Sequence, residues 1–163
     1  MESLYSVKLG KLIQEFHLEV LRGAAGYEER PIRTEDVNRP GLQLTGFFDY
    51  FDSNRLQVIG RVEDTYLEGL SPDERRGRFE MLLSQNIPAL IISRGIEPYP
   101  ECMEMAEKYD RTILRSQDTT SVLMSNIIAA LKSYLAPRIT RHGVLVEVYG
   151  EGVLLLGESG VGK

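Results

Sequence analysis

Short apolar runs and helically spaced apolar positions take turns along the chain. From Val7 to Phe16 the residues Leu9, Leu12, Ile13 and Phe16 fall at helical spacing, and Leu18 to Leu21 then reads as a short strand ending before Gly23. Residues 27–44 are charged and broken by Pro31, Pro40 and Gly41, a pattern that predicts mostly loop with room for a short strand near Pro31 to Thr34. After the aromatic-rich stretch Thr45 to Phe51, Arg55 to Ile59 predicts a buried strand closed by Gly60, with a helix from about Val62 to Leu67 behind it.

The strongest helix start is Ser71-Pro72-Asp73-Glu74: a serine cap, proline at the first helical position, and a glutamate placed to bond back to the cap. That helix is expected to reach about Ser84 with Phe79, Met81, Leu82 and Leu83 inward. The continuous apolar run Pro88 to Ser93 predicts a strand covered on both faces. Pro100 opens a helix over Glu101 to Tyr109, Arg111 to Arg115 is the next strand, and Asp118 or Thr119 caps a long helix to about Leu135. Its apolar stripe is Leu123, Ile127, Leu131 and Tyr134.

Strands separated by helices of this length imply βαβ crossovers, so the fold class is α/β: a small amino-terminal domain over residues 1–131 with a mainly parallel sheet. Ala136-Pro137 ends the last helix, which makes residues 132–137 a linker. Residues 138–163 differ in character. Val144 to Tyr149 and Val153 to Leu156 flank Gly150-Glu151-Gly152, the pattern of a β-hairpin. With Gly150-Glu151 as a two-residue turn, Val146 faces Leu155, Gly143 comes opposite Glu158 and His142 opposite Ser159.

The hairpin enters Gly157-Glu158-Ser159-Gly160-Val161-Gly162-Lys163, a match to the Walker A pattern G-x-x-x-x-G-K directly after a strand. Its three glycines let the backbone curl so that successive N–H groups point at phosphate oxygens, while the lysine ammonium reaches the β and γ phosphates. The hydroxyl that would hold Mg²⁺ in this motif falls after Lys163, so no metal ligand is expected within the chain.

Charge narrows the partners. Among 163 residues, 24 acidic against 19 basic side chains give a net charge of −5, which repels nucleic acid and anionic lipid in bulk. No apolar run approaches the ~18 residues of a membrane span. A single cysteine, Cys102, cannot form an internal disulfide, and the opening Met1-Glu2-Ser3-Leu4 lacks the features of a secretory signal, so a soluble protein of the reducing cytoplasm is expected.

The Walker A segment, the upstream Arg141-His142-Gly143, the strand pair from Val144 to Leu156, the opening Val7-Lys8-Leu9 to Leu21 and the strand from Leu56 to Gly60 together resemble bacterial HPr kinase/phosphorylase over nearly the whole chain. The resemblance implies transfer of phosphate from ATP, or pyrophosphate, to a serine of the phosphocarrier HPr. It implies phosphorolytic removal of that phosphate to give pyrophosphate, Mg²⁺ as cofactor, hexameric assembly, and control of carbon catabolite repression. Carried onto this sequence, it makes His142 an active-site residue, Lys163 the loop lysine, and Gly157, Glu158, Ser159, Gly160, Val161, Gly162 and Lys163 the nucleotide site. The family's catalytic aspartate and its remaining Mg²⁺ ligands would follow Lys163, so residues 1–163 alone are expected to be inactive.

Two other readings stay open: an amino-terminal binding or assembly module without a catalytic group, and another P-loop NTPase or small-molecule kinase. Other features carry less. Arg75, Arg76 and Arg78 read as a solvated helix face; Asp49, Asp52, Glu63 and Asp64 lack histidine or cysteine companions for a metal site; and Cys102, among Glu101, Glu104 and Glu107, is in surroundings that raise a thiol pKa.

Overall fold

A computed structural model describes residues 5–137. The chain enters through β1 (Val7–Lys8), which pairs antiparallel with β3 (Pro31–Ile32) in a two-stranded sheet of its own. Between them lie α1 (Leu9–Glu15), β2 (Glu19–Arg22) and a 3-10 turn over Tyr27–Glu29. Then follow β4 (Val37–Asn38), α2 (Gly41–Leu44), β5 (Leu56–Ile59), α3 (Arg61–Glu68), α4 (Pro72–Leu83), β6 (Leu90–Ile92), α5 (Pro100–Tyr109), β7 (Ile113–Arg115) and α6 (Thr120–Leu135).

The main sheet has the order β2-β7-β6-β5-β4; β4, β5, β6 and β7 are mutually parallel, and only the edge strand β2 runs antiparallel, with a bulge between Val20 and Arg22. Alternation along the strands builds a core on each face. Leu56, Val58, Ile91 and Leu114 pack with Leu9 and Leu12 of α1 and Leu123, Ile127 and Leu131 of α6. Ile59, Leu90, Ile92 and Ile113 pack with Phe79, Leu82 and Leu83 of α4 and Met105 and Ala106 of α5. All three residues of β6 are buried, which is why its sequence is apolar without alternation. Each such side chain contributes about 1.5–3 kcal/mol relative to exposure.

The expected α/β class and mainly parallel sheet are what the described residues form. The capping box of α4 forms as its sequence requires: Ser71 Oγ accepts from Glu74 N–H at 3.2 Å, and Glu74 Oε1 accepts from Ser71 N–H at 3.0 Å. Other details differ. The segment expected to be mostly loop contains β4 and α2, and β4 extends the main sheet by pairing with β5 (Val37 with Leu56, Asn38 with Gln57). Val7 and Lys8, expected within a helix, form β1 instead. The buried stripe of α6 ends on Leu135 rather than Tyr134, whose hydroxyl donates to Glu15 Oε1 at 2.5 Å.

Arg75 is the clearest correction to the picture of a solvated arginine face. Its side chain is only 13% exposed and pairs with Glu101 at 3.0 Å, itself 10% exposed. Its remaining donors reach the Leu67 and Leu70 carbonyls at 2.9 Å each, and its guanidinium carbon lies 4.4 Å from the Tyr99 ring centroid. Arg76 stays at the surface between Asp73 and Glu104.

Candidate functional site

Ligands of open parallel sheets collect outside the carboxyl ends of the strands. Here that edge is formed by the turns after β4, β5, β6 and β7. Gly60, directly after β5, has no room for a side chain: a Cβ would lie 2.2 Å from Thr120 Oγ1 and 3.2 Å from Ser93 Oγ. Ser93 follows β6, and Thr120 opens α6; their buried hydroxyl oxygens are 2.6 Å apart, and Ser93 also donates to the Ile59 carbonyl at 3.2 Å. Glu63, buried in the first turn of α3, accepts the Gly60 N–H at 2.7 Å and pairs with Arg39, just past β4, at 2.7 Å.

These polar groups satisfy one another. Glycine after β5 lets β5, β6 and α6 close to hydrogen-bonding distance, and the Arg39–Glu63 pair ties the edge strand to the same point. The arrangement fastens the strand ends together, and among the described residues its hydroxyls bond to each other and to the Ile59 carbonyl rather than to a base. Beside it, a cavity of about 10 Å³ lies between Gly60, Asp64, Ile96, Tyr99 and Cys102, room for about one water molecule.

Tyr99 and Cys102, two of the four titratable residues on that cavity, are poorly suited to proton transfer near neutrality. Burial, reinforced by the charge of Asp64, pushes the Tyr99 hydroxyl up to about 12, and it donates to the Asp64 carbonyl at 3.0 Å. Burial first, then the charge of Glu101, pushes the Cys102 thiol up to about 12. The thiol is raised as its acidic neighbours suggest, although desolvation is the larger cause. Among the described residues no three His, Cys, Asp or Glu side chains gather to hold a metal. Asp52 instead accepts the Asn54 N–H at 2.9 Å, and Glu63 is occupied as above.

The expected site residues His142 and Gly157, Glu158, Ser159, Gly160, Val161, Gly162 and Lys163 lie outside the described residues, as does the hairpin leading to them. The Gly60–Ser93–Thr120 contact and the Arg39–Glu63 pair escaped sequence reasoning. A glycine closing one apolar strand and a serine closing the next are its only sequence traces, and Arg39 leaves none.

Comparison with known proteins assigns the chain. Residues 7–131 match the family model for the HPr Serine kinase N terminus, and residues 133–163 match that for the HPr Serine kinase C-terminal domain. The chain belongs to the HPr serine kinase family. An HPr kinase/phosphorylase of Caldicellulosiruptor bescii is 50% identical over 160 residues, covering 98% of this chain and 51% of that protein. One of Lachnoclostridium phytofermentans is 47% identical over 160 residues, covering 98% of this chain and 52% of that protein. The chain thus spans about half the length of the curated relatives it matches. Among solved structures, the CBS and DRTGG domains of the regulatory region of Clostridium perfringens pyrophosphatase, complexed with diadenosine tetraphosphate, superpose with a TM-score of 0.56. At 15% identity, covering 85% of this chain and 53% of that one, the likeness is one of fold. Among the described residues of this family member, no helix is long and apolar enough to cross a membrane.

Proposed function

We propose that the chain supplies the first half of a bifunctional protein serine kinase/phosphorylase acting on HPr. The observation that carries this is the 50% identity to an HPr kinase/phosphorylase maintained over 98% of the chain. In the kinase direction ATP, or pyrophosphate, donates a phosphoryl group to a serine hydroxyl of HPr. In the phosphorylase direction inorganic phosphate takes that group from the serine, giving pyrophosphate and free HPr.

Phosphoryl transfer depends on positioned cations and amides more than on covalent chemistry. The N–H groups of Gly157 to Lys163 would cradle the phosphates, the Lys163 ammonium would offset charge on the β and γ oxygens, and His142 would add a donor beside them. Groups following Lys163 would hold Mg²⁺, which would offset phosphate charge when bound. Residues 1–131 would serve assembly and regulation, with 132–137 as linker and 138–163 opening the kinase domain. The mutual satisfaction of Ser93, Thr120, Glu63 and Arg39 supports a non-catalytic role for that first domain. A homohexamer working in the cytoplasm on carbon catabolite regulation completes the proposal.

The test is transfer to HPr. Residues 1–163 with HPr and Mg-ATP are predicted to leave HPr unphosphorylated, because the base would lie beyond them. The chain extended through its P-loop domain is predicted to phosphorylate it, and Lys163→Ala to slow that transfer about a hundredfold or more. Turnover by residues 1–163 alone, or an extended Lys163→Ala protein as fast as its parent, would contradict this assignment of roles.

A further inference from the structure

The opposite edge of the sheet carries a different kind of site. Pro88 precedes β6 and Thr112 precedes β7, and both line a pocket of about 270 Å³ at the amino ends of the parallel strands. Arg30 and Arg111 also line it. Arg30 donates to Asn86 Oδ1 at 3.3 Å and to the Asn86 carbonyl at 2.9 Å, and Arg111 Nε reaches the Leu83 and Gln85 carbonyls at 2.8 and 2.9 Å. These bonds hold both guanidiniums at the end of α4, yet their acceptors are neutral.

The pocket's carboxylates are engaged elsewhere. Glu29 pairs with Lys8 at 2.7 Å, and Asp110 accepts from Arg22 at 3.0 Å and from the Ala25 N–H at 3.2 Å. Asp110 feels Arg111 only as the last of several influences. Each of these carboxylates has a cationic partner within ion-pair distance, whereas among the described residues neither Arg30 nor Arg111 forms an ion pair. They also repel each other. Partial burial, and then the charge of Arg111, lower the Arg30 pKa from its ordinary value. Two fixed like charges facing one concavity are relieved by an anion placed between them.

We propose that this pocket binds a small oxyanion, phosphate or a phosphomonoester, between Arg30 and Arg111. Arg30 Nε and Arg111 Nη2 have no partner among the described residues and supply the donors. At the rim, Gly26 has a left-handed backbone (φ +68°) with nothing within 4 Å of where a Cβ would stand, so the mouth stays open. The volume lies just under the ~300–1,000 Å³ of pockets for drug-sized ligands, which fits a phosphate with a short organic stub.

The experiment is an NMR titration of ¹⁵N-labelled residues 1–163 with sodium phosphate at constant ionic strength, in a Lys163→Ala background so that the Walker A lysine cannot contribute. Saturable shifts at the Gly26, Arg30, Arg111 and Thr112 amides are expected, with Arg30→Gln weakening binding about tenfold or more. Repeating the titration with glycerol 3-phosphate separates the sources: tighter binding than phosphate assigns an ester, weaker binding the free anion. Because Arg30→Gln leaves the Arg111 bonds to α4 intact, its dispersed spectrum serves as the folding control. Shifts that never saturate, or that Arg30→Gln leaves unchanged, would overturn the proposal.

Discussion

Gly60 stands where three polypeptide segments meet, and its lack of a side chain sets their separation. A methyl group there would meet Thr120 Oγ1 at 2.2 Å, and Thr120 cannot swing away without breaking its 2.6 Å contact with Ser93. Gly60→Ala is therefore predicted to destabilise the domain by about 1–3 kcal/mol in urea melts, and adding Thr120→Ala to recover part of that loss. Additive effects of the two changes would show that the contact is not the cause. The sequence revealed this glycine only as the end of a strand, because close approach between segments 33 and 60 residues apart is a tertiary fact. Asp110 makes a pH-dependent contribution. The Ala25 N–H, and then Arg22, hold its carboxyl below the usual range, so the stabilisation is present above the unfolded pKa of about 3.9 and is lost as pH falls through the folded value. Asp110→Asn tolerates the left-handed backbone at this position (φ +56°) and removes the charge. Its deficit in Tm near neutral pH is predicted to shrink on acidification; a deficit that stays constant would exclude this ionic origin.

At the scale of elements, what local chemistry specifies was legible and what pairing specifies was not. The start of α4 could be read directly, since Ser71, Pro72 and Glu74 cap it within four residues. The strand β4 could not: it is two residues long, lies in a proline-broken segment, and exists through its pairing with β5. Arg75 escaped for a related reason, because its partner Glu101 arrives from α5 and no local pattern links them. That pair joins α4 to α5 and, through the Leu67 and Leu70 carbonyls, to the end of α3. Arg75→Ala is predicted to cost about 3–5 kcal/mol by denaturant unfolding, since it leaves Glu101 buried without its countercharge, and the further change Glu101→Leu to restore much of the loss. A cost below about 1 kcal/mol would place the pair with ordinary surface ion pairs.

For the whole molecule, the α/β class and mainly parallel sheet followed from the succession of apolar strands and amphipathic helices, and the family from residues spread across the chain. The phosphate loop proposed for Gly157 to Lys163 was legible as a pattern, because its chemistry would be carried by consecutive residues. The Arg30–Arg111 pocket was not, because it depends on which carboxylates are already engaged by other partners. The most direct measurement extends the chain through its P-loop domain, incubates it with HPr and Mg-ATP, follows the intact mass of HPr, and then adds inorganic phosphate. The predicted result is a gain of one phosphoryl group, removed again by phosphate with release of pyrophosphate. An HPr mass that never changes while the protein still binds ATP would contradict the assignment and leave a P-loop protein acting on another substrate.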